Sequence, residues 1–173
     1  MLKDGVRTDK DFLKKFLVST FFTMAVVLVT VLRFIFIDEL GKSMPSSYGF
    51  YIGFGVGLAA LCVGMLLLLY SVMDFGELKL KEQSAILFTV FFSYVISTYI
   101  SLASIYLMPV FLAGLILSQL SQKQYVFVAN TMVCIFVGYT ELINFVVVGE
   151  NAISLLVVIA AGLVCGGISA ITL

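Results

Sequence analysis

The sequence predicts an all-α fold, a polytopic transmembrane helix bundle of about six spans, and three observations carry that prediction. The chain is 62% hydrophobic and only 12% charged over 173 residues, with a mean hydropathy of +1.17. A soluble domain carries about 25% charged residues, so the charge needed to cover a water-facing surface is missing. Second, several separate apolar stretches approach the ~20 residues that a helix needs to cross ~30 Å of hydrocarbon. Third, these stretches are continuous, whereas a transmembrane barrel strand alternates apolar and polar positions over ~10 residues.

Residues 1–15, MLKDGVRTDKDFLKK, form a basic segment ahead of a single transmembrane domain covering 16–173. The apolar run Phe16–Leu32 has 17 residues. That exceeds the ~7–15 of a secretory h-region, and no A-x-A cleavage site follows. It is therefore expected to be retained as span 1, about 16–37, with Arg33 near its far end. The polar connector DELGKSMPSSYG, which carries Pro45, supplies turn chemistry. Span 2 covers about 49–73. The connector DFGELKLKEQ after it has five charges in ten residues and belongs in water.

Ala85–Leu120 is a run of 36 residues without a charge, and Pro109 lies inside it. As one helix it would reach about 54 Å, nearly twice the hydrocarbon thickness. Proline disfavours helix geometry in the residue before it and removes a backbone donor, yet fits the first turn of a helix. The cluster Ser97, Thr98, Ser101 and Ser104 just upstream suits a tight interfacial turn. The run is accordingly divided into span 3, about 85–101, and span 4, about 105–120, with Pro109 marking the helix boundary. Both are short, which implies local bilayer thinning or a partly buried turn. Span 5 covers about 125–139. TELINFVVVGEN follows, either as the outer end of a longer span 5 or as a short interfacial helix. Span 6, about 152–172, runs to the last residues, and an end without a polar tail reads as cut short.

Lysine and arginine in short loops set orientation. With the N-terminus inside, the inner segments hold Lys3, Arg7, Lys10, Lys14, Lys15, Lys79, Lys81 and Lys123, and the outer ones only Arg33 and Lys42. The expected topology is N-in and C-in, with Glu141 and Glu150 on the outer side.

The function classes that the sequence excludes are informative. There is no histidine, and acidic and basic residues balance at 10 each. No Ser-His-Asp triad or His-Asp metal site can be assembled, and no Walker A sequence is present. Gly53, Gly55 and Gly57 in GFGVG lack the strand–turn–helix setting of a phosphate-binding fingerprint. No enzyme activity, catalytic residue, metal or cofactor is expected, and bulk charge implies no nucleic-acid partner. Cys62, Cys134 and Cys165 lie far apart in apolar runs and read as small buried hydrophobes.

Small residues recur at four-residue spacing: Gly49, Gly53, Gly57, Ala60 and Gly64 in span 2, Gly114 and Ser118 in span 4, Gly162, Gly166 and Ala170 in span 6. Such patterns permit close helix approach in lipid. They serve packing within the chain or, for span 2, a homodimer contact. Ionisable groups at membrane depth are costly and often functional. Arg33 either snorkels to the headgroups or joins Glu141 as an outer-side polar pair, directly or across a shallow cavity. Asn130 and Gln119 are expected to hydrogen-bond between helices.

The stretch SIYLMPVFLAGLILSQLSQKQYVFVANTMVCIFVGY, followed later by LLVVIAAGLVCGGISA, resembles the membrane region of the seven-transmembrane HD-hydrolase receptors. The likeness rests on Tyr106-Leu107-Met108-Pro109-Val110 opening a span and on a glycine-rich late span, Gly162 to Ala170, and covers about 60–173. It implies a bacterial plasma-membrane protein that signals to the cytoplasm. Two features depart from that family: only about a dozen residues separate spans 1 and 2 where members carry a large extracellular domain, and no histidine-bearing HD domain is present. The family's hydrolysis therefore transfers to no residue here. Three functions remain: a non-catalytic sensor or anchor region signalling to a cytoplasmic partner or a separate hydrolase domain, a small-solute transporter or transporter subunit, and a small structural or assembly membrane protein. The bilayer itself is the first partner.

Overall fold

A computed structural model describes residues 2–39, 48–72, 75–119, 123–148 and 152–171. Among these are six α-helices: α1 (Leu2–Glu39), α2 (Tyr48–Val72), α3 (Leu80–Ile100), α4 (Leu112–Ser118), α5 (Lys123–Val148) and α6 (Ala152–Ile171). Short 3-10 turns lie at Phe75–Glu77 and Ile105–Leu107. Four stretches, Asp11–Ile35, Gly49–Ser71, Leu80–Ile100 and Gln124–Leu142, are long and apolar enough to cross a membrane. A shorter apolar stretch, Leu155–Ile168, lies in α6. The protein is an integral membrane protein built as an all-α bundle.

Side-chain contacts fix which helix ends lie together. At one end Phe34 of α1 packs on Tyr51 and Phe54 of α2, and Phe54 stacks on Tyr139 of α5 with ring centroids 4.5 Å apart. At the other end Ser19 of α1 bonds Tyr70 of α2 at 3.2 Å, and Phe75 meets both Tyr70 and Tyr125. The chain therefore runs up α1, down α2, up α3 and up again through α5. We call these the arginine end and the lysine end, after Arg33 and Lys15. The two residues are about five turns apart on α1, roughly 27 Å, close to one hydrocarbon thickness.

The lysine-end connector is held by polar bonds. Lys15 Nζ donates to the Gly76 carbonyl at 2.5 Å, and Gln83 Nε2 donates to the Phe75 carbonyl at 2.5 Å. Helix α3 starts at Leu80, five residues before the expected span, because a capping arrangement organises its first turn. The Glu82 carboxylate accepts the Lys79 backbone N–H at 3.2 Å.

The fourth span is where the sequence expectation fails. A continuous helix over 105–120 does not form; α4 has seven residues, about 10 Å of helix. The chain returns from the arginine end to the lysine end through turns over 101–111 and then α4. Pro109 precedes the helix rather than lying in its first turn, and its carbonyl accepts the Leu112 N–H at 2.9 Å. Non-helical backbone is tolerated at membrane depth where protein covers it; here Met108 and Val110 of the turns and Ala113 and Leu117 of α4 are buried, whereas Tyr106 and Leu107 are exposed. Helix α5 continues through Glu141 to Val148, so the longer form of span 5 is the one that occurs.

Glycines account for the close packing of α4, α5 and α6. A Cβ on Gly162 would collide with Val110 and Cys134, and one on Gly166 with Asn130. A Cβ on Gly114 would lie 3.5 Å from the Gly166 Cα. Asn130 bridges the three helices, donating from Nδ2 to the Gly162 carbonyl at 2.9 Å and accepting the Gly114 N–H at 3.3 Å. Gly57 fits against Tyr139 in the same way. The expectation of packing within the chain does not hold for three glycines of α2. Gly49 is exposed, and a Cβ on Gly53 or Gly64 would meet no atom within 4 Å, although Gly57 on the same stripe is reached by the Tyr139 side chain. Cys62 and Cys134 are buried as expected, but Cys165 is exposed on the outer face of α6. Lys42, Pro45, Glu150, Asn151 and Thr172 lie outside the described residues.

Candidate functional site

The most polar part of the interior lies at the arginine end, where α1, α3 and α5 meet. Arg33 is 0% exposed and Glu141 2% exposed. Arg33 Nη2 and Glu141 Oε1 are 2.5 Å apart, and the guanidinium donates in the ion pair. Snorkelling of Arg33 to the headgroups is therefore corrected: its side chain turns into the bundle. The polar pair joins directly rather than across a cavity.

The local structure of α3 explains why the guanidinium docks there. The last carbonyls of a helix have no intrahelical partner and carry the negative end of its dipole. Arg33 Nε donates to the Thr98 carbonyl at 2.9 Å, in the last turn of α3. Ser101 is the C-cap, and its backbone N–H still bonds the Ser97 carbonyl at 3.0 Å. That geometry turns its side chain toward both charges. Ser101 Oγ accepts from Arg33 Nη2 at 2.9 Å and lies 2.6 Å from Glu141 Oε1 and 2.7 Å from the Thr98 carbonyl, either of which can take its single proton.

A second polar layer lies one turn deeper on the same three helices. Tyr94 Oη of α3 is 2.5 Å from Thr30 Oγ1 of α1 and 2.9 Å from Thr140 Oγ1 of α5. Thr30 and Thr140 also donate back to the carbonyls of Val26 and Phe136 at 2.8 Å. With their single protons used in this way, the tyrosine donates to one threonine and the other contact is an approach of two oxygens. Phe136 packs edge-on to Tyr94 beneath this layer, sealing it with apolar surface.

Some buried polar atoms have no hydrogen-bond partner among the described residues: Arg33 Nη1, Ser93 Oγ, Ser97 Oγ and Gln83 Oε1. Thr89, Ser93, Ser97 and Ser101 recur every four residues, so they form one stripe along α3. The cluster Ser97, Thr98, Ser101 and Ser104 therefore does not act as a single interfacial turn, since Ser97 and Thr98 are fully buried inside the bundle.

The sequence named Arg33 and Glu141 but missed Tyr94, Thr30 and Thr140. The available signal was their position: Thr30 stands one turn before Arg33, and Thr140 directly precedes Glu141. Asn130 bonds between helices as expected, whereas Gln119 caps the C-terminus of α4 through its backbone. Among the described residues no group of three or more His, Cys, Asp or Glu side chains could hold a metal ion. Chemically, the arrangement holds one positive and one negative charge buried in a three-helix junction, and loss of either leaves the other uncompensated. No protein-family model, curated protein or solved structure matches this chain.

Proposed function

We propose that the chain is a non-catalytic signalling domain of a membrane, in which the Arg33–Glu141 clamp sets the position of α1 and α1 transmits that position to the lysine end. One observation carries this reading. The charged clamp and the basic N-terminal segment belong to one uninterrupted helix, Leu2–Glu39. A rigid rod converts a tilt at one end into a displacement at the other. Replacing a buried ion pair with apolar residues is often neutral or stabilising, so stability alone is a weak reason to keep one; fixing register or making a switch is the better-attested use. The lysine and arginine bias of the short segments supports the N-in orientation. The partner would then be cytoplasmic and would meet the lysine end.

The test uses the full chain in proteoliposomes with Cys165→Ser and spin-labelled cysteines replacing Leu13 and Phe127, both exposed at the lysine end. Opening the clamp with Glu141→Gln is expected to shift or broaden the distance between labels, by the ~1–2 Å typical of helix shifts or more. An unchanged distance and width would remove the relay.

The buried hydroxyls of Ser93 and Ser97 favour the transporter as the second reading, because a polar stripe could become a solute path. Ser97→Cys should resist a water-soluble maleimide if the interior stays dry. Rapid labelling from either side would favour transport.

A further inference from the structure

We propose that the groove between α1 and α3 at the lysine end binds one anionic phospholipid, with its phosphate on Lys14 and Lys81 and an acyl chain against the phenylalanines below. The groove has a volume of about 760 Å³. One wall is Leu17, Phe21 and Ala25 of α1; the other is Ala85, Phe88 and Phe91 of α3, with Lys81 at the mouth. The two alanines leave the space, and Phe21 and Phe88, 74% and 67% exposed, extend the apolar walls outward.

Charge is placed at one end only. Lys81 precedes Ala85 and Phe88 on one face of α3, and Lys14 stands one turn before Leu17 on α1. Both lysines are exposed. Among the described residues Asp11, Glu77 and Glu82 form no ion pair with Lys14 or Lys81, and the Glu82 carboxylate accepts the Lys79 backbone N–H. From Lys81 to Phe91 is about 15 Å along the helix, half of a ~30 Å hydrocarbon core and hence the depth of one leaflet. A cationic mouth above one leaflet of apolar wall is complementary to a phosphate headgroup and its chain. The neighbouring groove of about 610 Å³ between α1 and α2 lacks this feature, since its lysine, Lys15, already donates to Gly76.

The inference does not depend on the signalling function. The full chain, stripped of lipid in detergent, is offered equal amounts of phosphatidylglycerol and phosphatidylcholine with identical acyl chains, and retained lipid is read by native mass spectrometry. Phosphatidylglycerol is expected to be retained preferentially. Lys14→Gln and Lys81→Gln should each lower that preference about fivefold, the effect of ~1 kcal/mol per cation near a membrane surface. Ala85→Phe, which fills the groove, should reduce retention of both lipids. Equal retention by the natural chain, or a preference that survives the double lysine variant, would overturn the site. Both lysines are exposed, so these variants keep the fold, with circular dichroism as the control.

Discussion

Arg33 and Glu141 are 108 positions apart in the chain and form a buried ion pair, with Ser101 Oγ within hydrogen-bond distance of both partners. The pair fixes three helices at once because the third component is the C-terminal turn of α3, whose Thr98 carbonyl accepts from the guanidinium at the negative end of the helix dipole.

Removing one partner of this pair should destabilise the protein by about 3–5 kcal/mol, because the other charge stays buried. Arg33→Leu and Glu141→Leu alone are expected to lower the unfolding midpoint in detergent markedly. The double variant should recover most of the loss, since no uncompensated charge remains. Simple additivity of the two losses would show that the residues are not energetically coupled. The reversed pair, Arg33→Glu with Glu141→Arg, should rescue either single reversal at least in part.

Tyr94→Phe keeps the ring against Phe136 and removes only the hydroxyl between Thr30 and Thr140. A loss of about 0.5–1.5 kcal/mol is expected, near the upper end of what single polar contacts supply in membrane bundles. Adding Thr30→Val to Tyr94→Phe should cost less than the sum of the two. Full additivity in the same unfolding assay would mean that the hydroxyls do not interact.

The glycines of α4 and α6 should respond differently from those of α2. Gly162→Leu and Gly166→Leu collide with Val110 or Asn130, and such overpacking costs about 1–3 kcal/mol or more. Gly53→Leu and Gly64→Leu enter open space and should leave the monomer within about 0.5 kcal/mol of the natural chain. Comparable losses in both groups would show that α2 packs against a second copy. Crosslinking through cysteines at 53 and 64 would identify that copy.

The lysine-end connector rests on two bonds, from Lys15 to Gly76 and from Gln83 to Phe75. Lys15→Met with Gln83→Leu should free it while leaving the arginine end intact. Trypsin would then cleave at Lys79 or Lys81 severalfold faster in the double variant. Equal cleavage rates would show that apolar packing of Phe75 alone holds the turn.

The sequence by itself determined that this is a membrane helix bundle, roughly where the long helices lie, and that Arg33 and Glu141 were the residues to watch. Composition and run length decide these features, since the ~30 Å hydrocarbon core requires about 20 apolar residues per crossing. It also marked Pro109 as a boundary, because the loss of a backbone donor is a local effect. Only the tertiary structure decided that Arg33 turns inward rather than toward headgroups, since that depends on α3 ending beside it. Likewise, only packing could divide the glycines into those that admit a neighbour and those that face outward. The break at 101–111 was hidden for the same reason. An apolar run reads as helix, and whether its backbone can leave helical geometry depends on what surrounds it. Here α4 packs on α3, α5 and α6 and Met108 and Val110 are buried, while Tyr106 and Leu107 stay exposed, so the passage is covered on its bundle side.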